Sequence, residues 1–246
     1  MRCTAIQTQR VSLGDSLTDF LDNALPHLRE EDVVVITSKI LSYAENSVVP
    51  CAGAHKDALV RSEADHVFPQ KLQKPPFVLP DITLKDGVLG AAAGIDESNA
   101  GDSYVLLPKD SMRSAAYVWH FLRKRHNIKK LGVVVTDSKS QMLRRGVLGI
   151  ALGWAGFKPL YSYVGQRDLD QRQLQHTSVN VVDALAVAAV FVMGEGAEST
   201  PLCLVQDARR LTFLDKPVDS DDEGVIIPPE EDMYFSTLTG AQKMRH

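Results

Sequence analysis

Two short runs of valine, isoleucine and leucine constrain the fold of this chain more than any other feature. The first, Val33 to Ile36, is followed by the polar residues 37–39, and the second, Leu131 to Thr136, is followed at once by Asp137 and Ser138. Apolar runs of this length without polar alternation are typical of strands that are buried on both faces. Because open α/β sheets place ligand groups at the carboxyl ends of such strands, the sequence predicts a site at Asp137 and Ser138, where the second run ends.

Helical spacing of apolar residues is clearest in three segments. The spacing predicts an amphipathic helix over residues 16–29, which Pro26 is expected to kink or shorten. A second helix has its apolar face over 115–122, carries basic residues in its last turn and stops at Asn127. A third opens near Asn180 and extends to Met193. Strands therefore alternate with helices at irregular spacing, which favours a mixed α/β architecture with α+β character over a regular barrel.

Weaker signals complete the outline of the chain. We expect residues 40–44 to continue in the same element as the first apolar run, and residues 104–107 and 202–205 to form further strands. Four prolines within 69–80 predict a loop, with a subdomain boundary near 69–86. The whole chain, 1–246, is then expected to form one domain.

The acidic run and the tail, residues 219–246, are expected to be solvated surface.

Charge and cysteine usage exclude several classes of protein. Lys plus Arg number 27 against 31 for Asp plus Glu, so the formal charge is −4 and no basic surface for nucleic acid is indicated. No apolar run reaches the roughly 20 residues of a membrane span, and no apolar signal-peptide core follows Met1. Cys3, Cys51 and Cys203 lack paired spacing. We therefore expect a cytoplasmic protein with neither a membrane nor a nucleic-acid partner.

Three carboxylates are candidates for a metal site. Asp137 ends the second strand, Asp96 lies in GIDESN after a glycine-rich segment, and Glu195 follows the third helix within MGEGAE. Such oxygen ligands suit magnesium or manganese. Each also has an ordinary interpretation: Asp137 as the cap of a following helix, at even odds with a ligand role, Asp96 as a turn residue and Glu195 as plain surface.

Nucleotide-binding signals are weaker. Lys39 after Ser38 has the charge to contact a phosphate, but the glycine-rich phosphate loop GxxxxGKS is absent, as are GxGxxG and GxSxG. The histidines show no metal-binding spacing.

Six motifs occur in order over most of the chain: TSKI at 37–40, AGIDESN at 93–99, LLPKD at 106–110, VVTDS at 134–138, SYVGQRD at 162–168 and NVVDALAVAAVFVMGEG at 180–196. Together they resemble the coenzyme F(420)-0:L-glutamate ligase family. The sequence is most similar to the branch assigned to folate metabolism as γ-glutamate ligases, because of QTQRV near the start, EADH at 63–66, and TDS where deazaflavin-cofactor ligases read TDT.

The resemblance implies an enzyme that joins L-glutamate through an amide to a carboxylate-bearing acceptor, with ATP or GTP as co-substrate and Mg²⁺ or Mn²⁺. The carboxylate would become an acyl phosphate before the amine displaces the phosphate. A homodimer with the F(420)-0:γ-glutamyl ligase-like fold is also implied.

Carried over by motif, the resemblance makes Asp96 and Asp137 catalytic metal ligands and adds two further metal ligands and three nucleotide contacts. The added metal ligands are Ser138 and Glu195, and the nucleotide contacts are Ser38, Lys39 and Asn99.

Departures from the deazaflavin ligases fall in three places. Tyr43 replaces a lysine, KSQMLR at 139–144 replaces FGRPWR, and Val147 and Leu148 replace polar residues. These losses favour a pterin or folate-type acceptor over a deazaflavin, since a phosphodiester needs polar partners.

Trp154 and Phe157 are candidates for lining a flat apolar slot for a pterin, although core packing is the more common role for each. A rival interpretation of another class is a noncatalytic nucleotide-binding or regulatory protein, which has no physical need for three carboxylates.

Overall fold

A five-stranded sheet with helices on both faces forms the centre of the protein. The structure is a computed structural model, and it describes residues 1–68, 80–218 and 224–235. The helices of the described chain are α1 (Leu17–Ala24), α2 (Ser38–Ala44), α3 (Lys56–Glu63), α4 (Ser111–His126) and α5 (Val181–Met193). Its strands are β1 (Arg2–Ile6), β2 (Asp32–Thr37), β3 (Val48–Pro50), β4 (His66–Phe68), β5 (Ile82–Lys85), β6 (Val88–Ala91), β7 (Ser103–Val105), β8 (Leu131–Ser140), β9 (Val147–Ala155), β10 (Leu160–Ser162), β11 (Ser178–Asn180) and β12 (Leu202–Gln206).

The central sheet has the strand order β1-β12-β2-β8-β9. Its middle pair, β2 and β8, is parallel, with a register from Asp32 opposite Leu131 to Thr37 opposite Thr136. The other pairs of this sheet are antiparallel. Smaller sheets are formed by β4-β5-β6, β3-β7 and β10-β11. The mixed α/β class expected from the sequence is confirmed.

The two apolar runs form strands as predicted, and the structure pairs them in parallel, but β8 is longer than expected. It continues to Ser140 and forms an antiparallel pair with β9, so Asp137 and Ser138 lie within the strand. The alternative in which Asp137 caps a following helix is wrong, because the chain turns back as a strand at this point.

The expectation that residues 40–44 continue the first strand is also wrong. The strand ends at Thr37, and α2 begins at Ser38. Ile40 and Leu41 then pack into the main core, while the Ser42 hydroxyl donates to the Ser38 carbonyl. Helical spacing lets this short segment bury its apolar residues beneath the end of β2.

The three predicted helices are present, with ends set by local chemistry. α1 is shorter than 16–29 because Leu25, in extended conformation, precedes Pro26, and the residue before proline disfavours helix. α4 ends at Asn127 in the left-handed region, as expected. Asn180 caps α5 by accepting from the Asp183 amide at 3.0 Å.

Of the remaining sequence predictions, the two strands are present, whereas most of the loop and the tail lies outside the described residues. The strand expected at 104–107 covers Ser103–Val105, and that expected at 202–205 is β12. Most of the proline-rich stretch, residues 69–79, lies outside the described residues, as do 219–223 and 236–246 of the acidic run and tail. On either side of 69–79, β4 and β5 pair in one sheet.

The core lies on both faces of the central sheet. One face is covered by α1, α2 and α4, and the other by α5. A β-bulge between Val135 and Thr136 places Leu152 against the first face and Ala151 against the second. Trp154 and Phe157 also belong to the core on the face covered by α5, with 4% and 0% of their surfaces exposed. The apolar slot suggested for them is therefore wrong, since neither residue reaches an open surface.

Candidate functional site

A cleft of about 390 Å³ opens where the parallel strands β2 and β8 end. The pairing of Thr37 with Thr136 brings the residues that follow each strand side by side. All seven site residues predicted from the sequence line this cleft: Ser38, Lys39, Asp96, Asn99, Asp137, Ser138 and Glu195. They come from four regions of the sequence, and the fold brings them together.

Lys39 and Asp96 form an ion pair at the centre of the cleft. The Lys39 ammonium lies 2.6 Å from Asp96 Oδ2 and donates to the Ser98 carbonyl at 2.7 Å. Asp96 also accepts from the Ser98 amide at 2.7 Å and the Ser98 hydroxyl at 2.9 Å. Asp96 therefore forms the turn foreseen as its ordinary role and at the same time faces the cleft.

β8 and α5 bring a second acidic group into the cleft. Asp137 accepts from the Ser138 amide at 2.8 Å, and the Ser138 hydroxyl donates to Glu195 Oε2 at 3.1 Å. Glu195 reaches this position because α5 ends at Met193 and Gly194 follows with a φ of 81°, a conformation that glycine adopts without strain.

The electrostatics of the two aspartates differ. Desolvation raises the pKa of Asp137 to about 6, and the negative charge of Asp96 adds to this, although the Ser138 amide, Lys39 and Ser38 act in the opposite direction. Asp96 is also desolvated, but hydrogen bonds from Lys39 and Ser98 outweigh that effect and lower its pKa. A carboxyl group with a raised pKa beside another carboxylate is typical of functional sites.

The donor chemistry of the cleft fits a hard cation. Carboxylate and hydroxyl oxygens are the ligands that magnesium and manganese prefer. In the structure, the ammonium of Lys39 is the cation that faces Asp96. Within 1–68, 80–218 and 224–235, no three His, Cys, Asp or Glu side chains are grouped closely enough to hold a metal. The metal-ligand role of Asp96, Asp137, Ser138 and Glu195 therefore stays a prediction.

Two residues that contribute to the site were not singled out in the sequence. Ser98 bridges Lys39 and Asp96, and Arg10 donates to the Asn99 carbonyl at 2.8 Å. Asn99 itself has a φ of 55°, in the left-handed region. Ser98 lies inside the GIDESN motif and Arg10 inside QTQRV, so both were within segments already noted.

A second, smaller cavity of about 260 Å³ adjoins the cleft. Asp137, Ser138, Gly94 and Leu107 line both spaces. The second cavity extends between the β5-β6 hairpin and the β8-β9 hairpin, and its wall includes Lys139 and Val147, two of the positions that depart from the deazaflavin ligases.

Comparison with known proteins identifies relatives along most of the chain. Residues 5–207 match the family described as F420-0:Gamma-glutamyl ligase. The chain is 34% identical over 214 residues to "Coenzyme F420:L-glutamate ligase" of Halorubrum lacusprofundi, covering 79% of this chain and 82% of that protein. Proteins of the same name from Methanopyrus kandleri (32% over 206 residues, 78% and 81% covered) and Halobacterium salinarum (34% over 217 residues, 80% and 83% covered) are similar in extent.

The class of the protein follows from these matches: it is an amide-forming ligase. Within that class, the chain belongs to the F420-0:gamma-glutamyl ligase family. The resemblance stated from the sequence motifs is thus confirmed. None of the described helices is both long enough and apolar enough to cross a bilayer.

Proposed function

We propose that the protein uses ATP or GTP and Mg²⁺ or Mn²⁺ to form an amide between L-glutamate and a carboxylate acceptor. The observation that carries this proposal is the convergence of Asp96, Asp137 and Glu195 with Lys39 and Asn99 in one cleft. A noncatalytic nucleotide-binding protein would need the basic and polar groups but not three carboxylates.

The residues of the cleft suit the chemistry of carboxylate activation. A bound metal would neutralise triphosphate charge while the terminal phosphoryl group moves to the acceptor carboxylate. Asp96, Asp137, Ser138 and Glu195 would hold that metal. Lys39, Ser38 and Asn99 would contact the nucleotide, with Lys39 exchanging Asp96 for a phosphate oxygen as its partner. The glutamate amine then displaces phosphate from the acyl phosphate.

For the acceptor, a deazaflavin of the F420-0 type is the first candidate. The family description and the relatives' names support it. The sequence departures favoured a pterin or folate acceptor. One part of that argument fails, because Trp154 and Phe157 are buried in the core and cannot line a slot for a pterin ring. This acceptor remains the second candidate because Tyr43, where deazaflavin ligases read lysine, lines the cleft and removes a cation from it.

We further propose a cytoplasmic homodimer. The three cysteines form no disulfide in the structure, which supports a reducing compartment. The exposed apolar face of α5 supports association with a second copy.

The test is mass spectrometry of products. Purified protein is incubated with L-glutamate, Mg²⁺ or Mn²⁺, and either ATP or GTP, together with F420-0 and dihydropteroate at equal concentration. We expect γ-glutamylated F420-0 as the main product and none from Asp137→Asn. Glutamylated dihydropteroate as the main product would replace the first acceptor with the second. Nucleotide binding without any product would support the noncatalytic alternative.

A further inference from the structure

The smaller cavity next to the cleft contains cationic side chains that the proposed chemistry has not used. Its wall is largely apolar, with Leu107, Val147 and Ile150 among its residues, but Lys85 and Lys139 also line it. Typical pockets for drug-sized ligands have volumes of about 300–1,000 Å³, so a cavity of about 260 Å³ suits a small group.

Lys139 is the less compensated of the two lysines. Its ammonium donates to the Leu89 carbonyl at 3.2 Å, and in the described ranges no salt bridge includes it. Lys85, by contrast, has carboxylates of Glu63 and Asp86 at 4.0 and 3.9 Å. The charge of Asp183 acts on Lys139 without forming a salt bridge. A half-buried ammonium with no carboxylate in salt-bridge contact is costly, because burial removes water that a neutral carbonyl only partly replaces.

Lys139 lies next to the residues that separate the cleft from the smaller cavity. Lys139 follows Ser138 directly in β8, and Asp137 and Ser138 lie on the boundary between cleft and cavity. A substrate that reaches the cleft from this side therefore passes Lys139. The triphosphate has its own candidate contacts, Lys39 and Asn99, in the cleft.

We propose that the smaller cavity is a substrate subsite in which Lys139 binds a carboxylate that does not react. This proposal rests on the proposed ligase function, which provides two sources of such a group. One is L-glutamate, whose carboxylates stay free when its amine is acylated, and the other is an acceptor with an additional acidic group. The shared chemistry is an ammonium–carboxylate pair in a partly desolvated cavity, which is stronger than the same pair in water.

The experiment measures equilibrium binding by titration calorimetry to the wild type, Lys139→Met and Lys139→Arg. The probes are L-glutamate, F420-0 and GTP, each titrated separately. We expect Lys139→Met to weaken the binding of L-glutamate or of F420-0 by about tenfold or more, because a charge-assisted hydrogen bond is lost. Lys139→Arg should recover part of that loss, and GTP affinity should be unchanged. Which probe loses affinity identifies the source of the carboxylate.

A matched control and a stability measurement separate binding from a structural role. Lys124→Met removes an exposed lysine of α4 that does not line either space and should change no affinity. If Lys139 serves binding, Lys139→Met should leave the melting temperature unchanged or raise it, because a half-buried cation that lacks a salt bridge within the described residues is removed. A lower melting temperature with unchanged affinities would show that Lys139 only ties β8 to β6, and the proposal would be wrong.

The remaining outcomes distinguish this proposal from the proposed function. Equal affinities of wild type and Lys139→Met for both substrates, a loss confined to GTP, or no binding of either substrate to the wild type would each overturn the subsite. Binding through Lys139 by a wild-type protein that forms no γ-glutamyl product would overturn the proposed ligase reaction and leave the subsite standing.

Discussion

Asp96 and Asp137 are the residues on which the proposed chemistry depends most. They are 41 positions apart in sequence, yet the pKa of Asp137 is raised partly by the charge of Asp96, so the two carboxylates interact across the cleft. The cation that now faces Asp96 is Lys39 at 2.6 Å. If a divalent ion binds here, both carboxylates should contribute ligands.

The first prediction follows from that arrangement. Asp96→Asn and Asp137→Asn should each lower kcat by more than about 100-fold, because a metal contributes several kcal/mol of charge stabilisation in the transition state. Both variants should also bind Mn²⁺ more weakly in a titration followed by electron paramagnetic resonance. Asp102→Asn, at an exposed position outside the cleft, is the control. Unchanged Mn²⁺ affinity in both cleft variants would contradict the shared metal site.

A second prediction concerns His126 and pH. Burial lowers its pKa, with the charges of His27 and Arg125 acting in the same direction, and its Nδ1 accepts from the Leu28 amide at 3.2 Å. The folded state therefore favours neutral His126, and below the ordinary pKa of 6.5 the unfolded chain binds more protons. This part of the stability is present above pH 6.5 and is lost as the pH falls through the lowered pKa.

The measurement is the melting temperature between pH 7.5 and pH 5. His126→Gln should show a smaller decrease over this range than the wild type, whereas His176→Gln, at an exposed position, should follow the wild type. A decrease of equal size in His126→Gln and the wild type would refute this assignment.

Among the elements, strand β9 is packed closely by helices on both faces, and two of its positions require glycine. At Gly153, an added Cβ would lie 2.3 Å from the Ser111 carbonyl of α4, and at Gly149 it would lie 2.4 Å from the Ala186 carbonyl of α5. Glycine at these two positions lets helices approach opposite faces of the same strand.

The third prediction is that Gly153→Ala destabilises the protein by about 1–3 kcal/mol, the usual cost of overpacking, or by more because the clash is with backbone. Urea unfolding measures the change. Gly90→Ala in β6 is the matched control, since its Cβ would meet nothing within 4 Å and the substitution should be neutral or slightly stabilising. Equal stability of the two variants would show that α4 shifts to accommodate the methyl group at little cost.

The same strand shows how far the sequence predicts this fold. The β-branched runs predicted that β2 and β8 are strands, and Asp137 and Ser138 after the second run predicted the position of the cleft, but the parallel pairing of the two strands is a finding of the structure. The bulge near Val135 could not be predicted, because it depends on pairing with β9, and it changes which face Leu152 and Ala151 cover.

Local sequence patterns likewise could not predict that Asp96 lies beside the ends of β2 and β8. This position depends on the bridge between Asp96 and Val105, which positions the GIDESN turn against the cleft. The sequence did indicate Asp96 as a candidate ligand, from its place in GIDESN and from the family resemblance, whereas Lys139 becomes a candidate only through the cavity that it lines.

For the whole molecule, α5 is the element that bears on assembly. One face of this helix packs on the central sheet through Leu185, Ala186 and Ala189. The opposite face leaves Val187 and Phe191 exposed at helical spacing of four residues, with 86% of Phe191 accessible. Exposed aromatic residues next to aliphatic ones are typical of protein interfaces.

The last prediction is that the protein is a homodimer associated through this face of α5. Light scattering at micromolar concentration should give a particle of twice 27.0 kDa.

Phe191→Asp should shift the protein to the monomer, because a charge at the centre of an apolar interface must be desolvated without a partner. Leu169→Asp, at a fully exposed position outside α5, should remain dimeric. A wild-type particle of 27.0 kDa would contradict the dimer, and a dimeric Phe191→Asp would place the interface elsewhere. Since Glu195 lies four residues after Phe191, loss of the dimer should also weaken ligation by loosening this end of the cleft.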